Sequence, residues 1–504
     1  MRRVLGRVLQ VALLVLAFCG IILLLRSKES FRINTTSSKS SPSEDERLQD
    51  MRVWWARYER AMLDARPNAN PIELSSGGAQ TVSVEGDIFR TDSMNFVRNE
   101  GVVEELKRAQ AQFRGILDQT FAGNGRPIDH SILKLFNGQG VVTVAGGEYY
   151  GPAMVGILML RKLGSNLPVE VFVENKKSGE YEKEICETIL PSMNARCVVL
   201  TQFLGSSSRF GSGIKVTHYQ LKSLAMLFSS FKDVLYLDSD SIPLVDPKVE
   251  LFTKEPYLST GFVGWPDFWK ASESPLFYKI AGLDGMPKNL PASSSEAGQL
   301  MLDKSKHLKT LLLAIYYNVM GPEWYYPLLS QGALGQGDKN TFESAATVLG
   351  LPWYRVRSEV HTLGRQDAGE LRGSAMIQYH PGDDMKRHGE STTAAKATAV
   401  KTFTGLGPQQ KVRPAFIHAN TPKMNAGHLV DEGDLQDKAS AQHIRLWGTH
   451  EQQMEIFGKD VEKVTFQYVV ETGCKYVRML KDWKHRGDIC AKLMEHYRIV
   501  FYES

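Results

Sequence analysis

From Gly138 onward, short apolar runs alternate with longer amphipathic ones. VVTVAG (Val141 to Gly146), VEVFVE (Val169 to Glu174) and ARCVVL (Ala195 to Leu200) are brief and rich in β-branched residues, which predicts strands. GPAMVGILMLRKLG, YEKEICETIL and THYQLKSLAMLFSS (Thr217 to Ser230) space their apolar residues as helices do. Three βα units therefore lead into FKDVLYLDSDSIPLVDP (Phe231 to Pro247). Here Val234 to Leu237 forms another apolar run, Lys232 and Asp233 read as its solvated start, and Pro243 stops it. This order predicts an α/β fold, a doubly wound, mostly parallel sheet with flanking helices. Its right-handed crossovers place a ligand cleft along the carboxyl ends of the strands, where Asp238 and Asp240 fall.

Upstream the pattern differs. Val8 to Leu25 is apolar except for Gln10 and Gly20, close to the roughly 20 residues that cross a bilayer core. Arg2, Arg3 and Arg7 precede it and favour a cytosolic amino terminus, although Arg26 and Lys28 follow it. The expectation is a type II signal anchor at 8–25 after a cytosolic tail at 1–7. A cleaved signal peptide is the alternative, but no Ala-x-Ala-like site is present. Residues 26–47 are too polar to fold alone and read as a stem. Helical patterns around Leu48 to Ala65 and Met94 to Leu117 suggest a helical amino-terminal part at 48–137, with the main α/β domain at 138–504. Tyr379 to Gln410 is polar with glycine at intervals and reads as a long surface loop.

Composition narrows the classes. The chain has 504 residues, 42% hydrophobic and 23% charged, with a formal net charge of +4. That charge, without a basic helix or arm, argues against a nucleic-acid partner. Of five cysteines, Cys19 lies in the anchor, whereas Cys186 with Cys197 and Cys474 with Cys490 are local pairs, either disulfides of an oxidising lumen or buried thiols. Asn34 begins a glycosylation sequon close to the membrane.

Two carboxylates one residue apart at a strand end can converge on a hard divalent cation, which would bridge a diphosphate and offset its charge as it leaves a sugar. An Asp-x-Asp triplet is also a common surface turn, and haloacid-dehalogenase-like phosphatases end a strand with one. In that family, however, the triplet ends the first core strand, and Phe342 stands where a second acid would be wanted. A non-catalytic luminal glycan- or nucleotide-binding subunit is the remaining alternative.

VVTVAGGEYYGPAMVGILMLRKLGSNLPVEVF, GIKVTHYQLKSLAMLFSSFKDVLYLDSDSIPL, SSSEAGQLMLDKSKHLKTLLLA, QGALGQGDKNTF and FIHANTPKMN occur in the order seen in fungal Golgi α-mannosyltransferases, which the chain resembles from about Gly138 to its carboxyl terminus. The resemblance implies a GT-A-like fold, GDP-mannose as nucleotide-sugar donor, Mn as metal, an α-mannoside glycan or mannan acceptor, and retaining transfer with α-1,2 linkages as first choice over α-1,3. It also implies a single-pass Golgi membrane protein with a luminal catalytic domain, with a Golgi enzyme complex as a further partner.

Carried onto this sequence, the resemblance puts Asp238 and Asp240 at the metal, with His418 of FIHAN completing the set and Lys423 reaching the diphosphate. Gly146, Gly147, Glu148 and Tyr149 would receive the nucleotide, Tyr149 stacking on the base. Lys222, four residues from His218 on one helix face, and Gln299 would contact the donor. Glu296 and Asp338 are the candidate catalytic acids at the sugar. In their bland readings Ser294 or Ser295 caps a helix, Glu296 lies in its first turn, and Asp338 is a turn residue. Trp265, Trp269, Trp324, Tyr325 and Tyr326 can platform a glycan or fill the core. Retention can proceed through a carboxylate nucleophile or by front-face displacement, and the second asks only for metal ligands and a positioned cleft.

Overall fold

A computed structural model describes residues 43–75, 77–84, 89–90, 94–176, 181–204, 218–389 and 411–503. The expected anchor at 8–25, Cys19, Asn34 and nearly all of the stem lie outside the described residues. Among those described, no helix is long and apolar enough to cross a membrane. Arg47–Ser504 form one compact unit.

Its centre is a seven-stranded sheet formed by β1 (Gln139–Val144), β2 (Val169–Val173), β3 (Ala195–Val199), β4 (Asp233–Leu237), β6 (Phe262–Lys270), β7 (Ser293–Asp303) and β8 (Tyr354–Arg355), in the order β3-β2-β1-β4-β7-β6-β8. The predicted strands are all there: β1 (Gln139–Val144), β2 (Val169–Val173), β3 (Ala195–Val199) and β4 (Asp233–Leu237), joined in parallel. The helices between them also form, notably α1 (Tyr150–Lys162) and α2 (His218–Phe228). Alternation along the buried strands divides the core into two faces. Val142, Val234 and Tyr236 face one apolar cluster, which α2 closes with Leu224 and Leu227. Val141, Leu235 and Leu237 face the other, closed by Met154 and Ile157 of α1.

Several expectations are corrected. SSSEAGQLMLD does not open a helix: Ser293–Asp303 is β7, antiparallel to both β4 and β6 (Phe262–Lys270), and the helix starts only at Lys304, capped by Asp303. Its apolar positions sit between two strands that already pair around them, so the ladder overrides the N-cap signal. The sheet is consequently mixed. A second, antiparallel sheet joins β5 (Ser241–Pro243), β11 (Pro414–His418), β10 (Glu370–Tyr379) and β9 (His361–Asp367), and it carries His418 to the end of β4. Asp233 is buried rather than solvated, accepting a hydrogen bond from Tyr257 Oη at 2.8 Å. The upstream pattern forms helices Glu44–Asp64 and Val103–Thr120, the second beginning nine residues later than Met94. The expected surface loop begins as a helix, Pro381–His388, while 390–410 lie outside the described residues. Trp265, Trp324, Tyr325 and Tyr326 are buried in the core, which removes them as glycan platforms; Trp269 is half-buried.

Both local cysteine pairs are disulfides, Cys186–Cys197 and Cys474–Cys490. The second closes a loop of sequence separation 16. In the chain-entropy picture its removal costs roughly 3 kcal/mol. Replacing Cys474 and Cys490 together by Ser should lower the unfolding midpoint in calorimetry; an unaltered midpoint would mean that packing alone holds these helices.

Candidate active site

Asp238, Asp240, Glu296, Asp338, His418, Lys222 and Lys423 converge where β4 ends. Parallel strands β1, β4, β6 and β8 (Tyr354–Arg355) run in one direction, and antiparallel β7 begins at the edge where they finish. At that edge Asp238 is half-buried and Asp240 is buried with 3% exposure. The turn between them is fixed by backbone: Asp238 N–H donates to Gly298 O at 2.8 Å, and Ser241 N–H donates to Asp238 O at 2.9 Å. Register between β5 and β11 places His418 opposite Ser241. His418 Nε2 thus lies 3.1 Å from Asp240 Oδ1. The Lys423 ammonium bonds the other Asp240 oxygen.

Asp238, Asp240 and His418 each offer one ligand atom, and these atoms lie within 4.8 Å of one another. Among the described residues they are the group placed to hold a metal ion. The charge pattern fits one. Asp238, Asp240, Glu296 and Asp338 share this edge with the ammoniums of Lys222 and Lys423. With all four carboxylates ionised, two negative charges are left for a divalent cation to match, and a neutral His418 then has an Nε2 lone pair for it. Two carboxylates and one imidazole suit Mn, which accepts nitrogen as well as oxygen. A protonated imidazole would match one of these two negative charges. Burial opposes protonation of His418, but Asp240 and Glu296 hold its affinity for a proton well above the ordinary value. For Asp240 burial pushes the carboxyl up, and His418 and Lys423 more than reverse it, so the group stays ionised.

Lys222 of α2 is buried and does not open toward the cleft. Its Nζ donates to Ala297 O at 2.7 Å and to Asp238 Oδ2 at 3.3 Å, and lies 3.5 Å from Asp338 Oδ2. It is the counter-charge that lets two acids from distant segments approach. Glu296, at the start of β7, accepts from Gly298 N–H at 2.6 Å and faces His418 Nδ1 at 3.5 Å. Burial raises its carboxyl, but His418, Lys222 and Lys339 outweigh that and keep it low. Asp338 behaves oppositely. Burial pushes it up to about 6, Lys222 pulls down, and Asp238 pushes up again. Gln299 is fully buried within β7, its Oε1 accepting from Ser241 Oγ at 3.3 Å, so it braces the metal turn from inside the sheet.

The nucleotide candidates also lie here. Gly147, at φ +55°, starts the turn Gly147–Tyr149 that follows β1. Gly146 precedes it. Asn425 Nδ2 donates to Glu148 O at 2.7 Å, and Lys423 Nζ lies 5.8 Å from the centre of the Tyr149 ring. A tyrosine, an ammonium and the acid pair are thereby brought side by side from three segments.

Sequence reasoning missed Tyr236, Asp267 and Lys339. Tyr236 Oη donates to Asp238 Oδ1 at 2.7 Å, and the two residues share a strand face because they are two apart, which was a readable signal. Lys339 pairs with buried Asp267 of β6, so consecutive residues of the Gly-Asp-Lys motif serve two different partners.

A Cβ on Gly298 would fall 2.7 Å from His418 Cε1 and Nδ1 and 2.9 Å from Glu296 Oε1, so Gly298→Ala should displace the imidazole and weaken Mn binding in titration calorimetry while the chain stays folded. Wild-type Mn affinity would refute His418 as a ligand. For Asp338, a folded pKa of about 6 lies above the ordinary 3.8, so its contribution to stability is full below about pH 4 and is lost as pH rises through about 6. Unfolding measured at a series of pH values should show Asp338→Asn gaining on wild type between about pH 4 and 6 and then holding a constant difference. A difference independent of pH would overturn the burial account.

The Mannosyl_trans3 family model, which describes mannosyltransferases, matches residues 138–292 and 283–380. Alpha-1,2-mannosyltransferase MNN21 of Candida albicans is 34% identical over 73% of this chain and 62% of its own. Alpha-1,2-mannosyltransferase MNN2 of Saccharomyces cerevisiae is 38% identical over 73% of this chain and 70% of its own. For Alpha-1,2-mannosyltransferase MNN24 of Candida albicans the values are 36%, 81% and 65%. The chain therefore spans between 62% and 70% of the length of these relatives. Among solved structures, the WbbM bifunctional glycosyltransferase matches at 14% identity and a TM-score of 0.27, over 51% of this chain and 48% of that one. With its mannosyltransferase-matched segment forming the sheet and carrying most of the acids of the site, the chain belongs to the family of fungal α-1,2-mannosyltransferases.

Proposed function

We propose that the protein transfers mannose from GDP-mannose to an α-mannoside of a glycoprotein glycan or mannan, forming α-1,2 linkages with retention of configuration and with Mn bound at Asp238, Asp240 and His418. The observation that carries this is the convergence of those three side chains, with Lys423 beside them, at the carboxyl end of a parallel strand, in a chain of this family. When bound, the metal supplies positive charge to the departing diphosphate.

The chain's own groups do the rest. Lys423, next to both Asp240 and the Tyr149 ring, is positioned to pair with a phosphate oxygen once the donor enters. The Gly147–Tyr149 turn lets the nucleotide approach backbone, and Tyr149 offers a ring for the base. Asp338 and Glu296, held by Lys222 and by Gly298 N–H, accept hydrogen bonds from sugar hydroxyls and fix the anomeric carbon. Because Glu296 is tied to the backbone of its own strand, we favour front-face displacement. The acceptor hydroxyl attacks as the bond to the diphosphate breaks, and a diphosphate oxygen takes its proton. A buried, largely dry edge strengthens each of these interactions.

We further propose a type II Golgi membrane protein with its catalytic part in the lumen. The apolar run at 8–25 and the arginines before it support this, and the two disulfides suit an oxidising compartment.

The decisive test is Asp238→Asn combined with Asp240→Asn in the purified protein. Mannose transfer from GDP-mannose should fall by at least ~10³-fold, as for loss of a group that stabilises developing charge, with the fold retained by circular dichroism. Turnover persisting in the double variant, or unaffected by chelation and Mn readdition in the wild type, sinks the metal assignment.

A further inference from the structure

The sheet order lays the site out in sequence. Along one edge come the Gly147–Tyr149 turn after β1, Asp238 and Asp240 after β4, Glu296 early in β7, Asp267 late in β6, and Arg355 on β8. Strands are about 4.8 Å apart, so the β6 carboxylate lies roughly 10 Å along the edge from the metal acids, on the side away from the nucleotide turn.

Beyond Asp267 the sheet opens. Register between β6 and β7 shifts between Pro266 and Lys270, and in the gap lies a narrow cleft of about 130 Å³, open to solvent. Ser83, Phe89, Asp267, Phe268, Ser293 and Val360 are among the residues that line it. Its walls are fixed from behind. Phe89 bridges to Pro291 and Ser83 to Trp269, while Arg355 is held by Glu343 and by the carbonyl oxygens of Ser293 and Ser294. Asp267 itself is fixed by Phe268 N–H, which donates to Oδ1 at 2.7 Å, and by Lys339.

Mainly apolar walls and a few oriented polar groups describe a groove that selects shape and hydroxyl pattern. An oligosaccharide would suit these walls, with an apolar sugar face against Phe89 and hydroxyls donating to Asp267. A nucleotide does not need the cleft, since the turn after β1 lies three strands from β6, on the other side of Asp238 and Asp240.

We propose that this cleft is the acceptor subsite, binding an α-mannoside so that its terminal sugar extends past Asp267 toward Glu296 and the donor. The proposal rests on the mannosyl-transfer reading for the identity of its ligand, and it assigns Phe89 and Val360 to recognition of the acceptor's inner sugars.

The test is direct binding with the full chain, free of turnover. α-Mannobiose and α-mannotriose are titrated by saturation-transfer NMR, and GDP with Mn by calorimetry. Phe89→Ala should weaken mannoside binding by about tenfold, the worth of one aromatic contact. Val360→Arg, which fills the cleft, should abolish it, and both variants should bind GDP as the wild type does. Wild-type mannoside affinity in both variants, or no mannoside binding by the wild type, overturns the subsite. If the wild type binds mannosides through the cleft but no GDP-sugar is turned over, the subsite stands and the transferase reading falls.

Discussion

The site depends on one arrangement: a buried carboxylate, Asp240, held between an imidazole and an ammonium that arrive from the far end of the chain. An ionised acid at 3% exposure is strongly unfavourable unless it is paired. The pairing is possible only because β5, a three-residue strand directly after Asp240, joins β11 of the second sheet. The same acid therefore ties the two sheets together and sits at the centre of the candidate metal site. Removing a counter-charge would leave a buried charge uncompensated, so the electrostatics that create the site also hold it together.

The mixed topology follows the same logic. A fully parallel sheet would deliver only strand ends to this edge. Inserting antiparallel β7 between β4 and β6 brings a strand beginning there instead, and with it Glu296, Ala297 and Gly298. Glu296 contributes charge, Ala297 a carbonyl for Lys222, and Gly298 the missing side chain that leaves room for His418. One strand thus shapes the acids, their counter-charge and the space they share.

Much of this was readable in one dimension. Short β-branched runs between amphipathic segments reproduce β1 to β4 and the helices between them, because a strand buried on both faces and a helix packed against it leave different periodicities. Asp238 and Asp240 were legible because hydrophilic residues ending such a run must sit where the sheet meets solvent. Spacing picked out the two local cysteine pairs without deciding between thiols and disulfides, and the structure bridges both. Where the sequence left alternatives open, the structure chose between them. A helix start was the bland reading of SSSEAGQLMLD, and the segment forms a strand, since local capping signals are weak beside two complete ladders of hydrogen bonds. Trp324, Tyr325 and Tyr326 could platform a glycan or fill the core, and they fill the core, a choice that burial decides and composition does not.

What the sequence determined by itself is the succession of elements, the edge on which the candidate site lies and the position of Asp238 and Asp240 there, because each is written in residues close together along the chain. What only the tertiary structure decided is the balance of charge. Lys222 meeting Asp338, His418 meeting Asp240 and Glu296, and Lys339 meeting Asp267 are pairings across 72 to 178 residues. No local pattern encodes them, since Coulomb attraction acts over ångströms of space and is indifferent to distance along the chain.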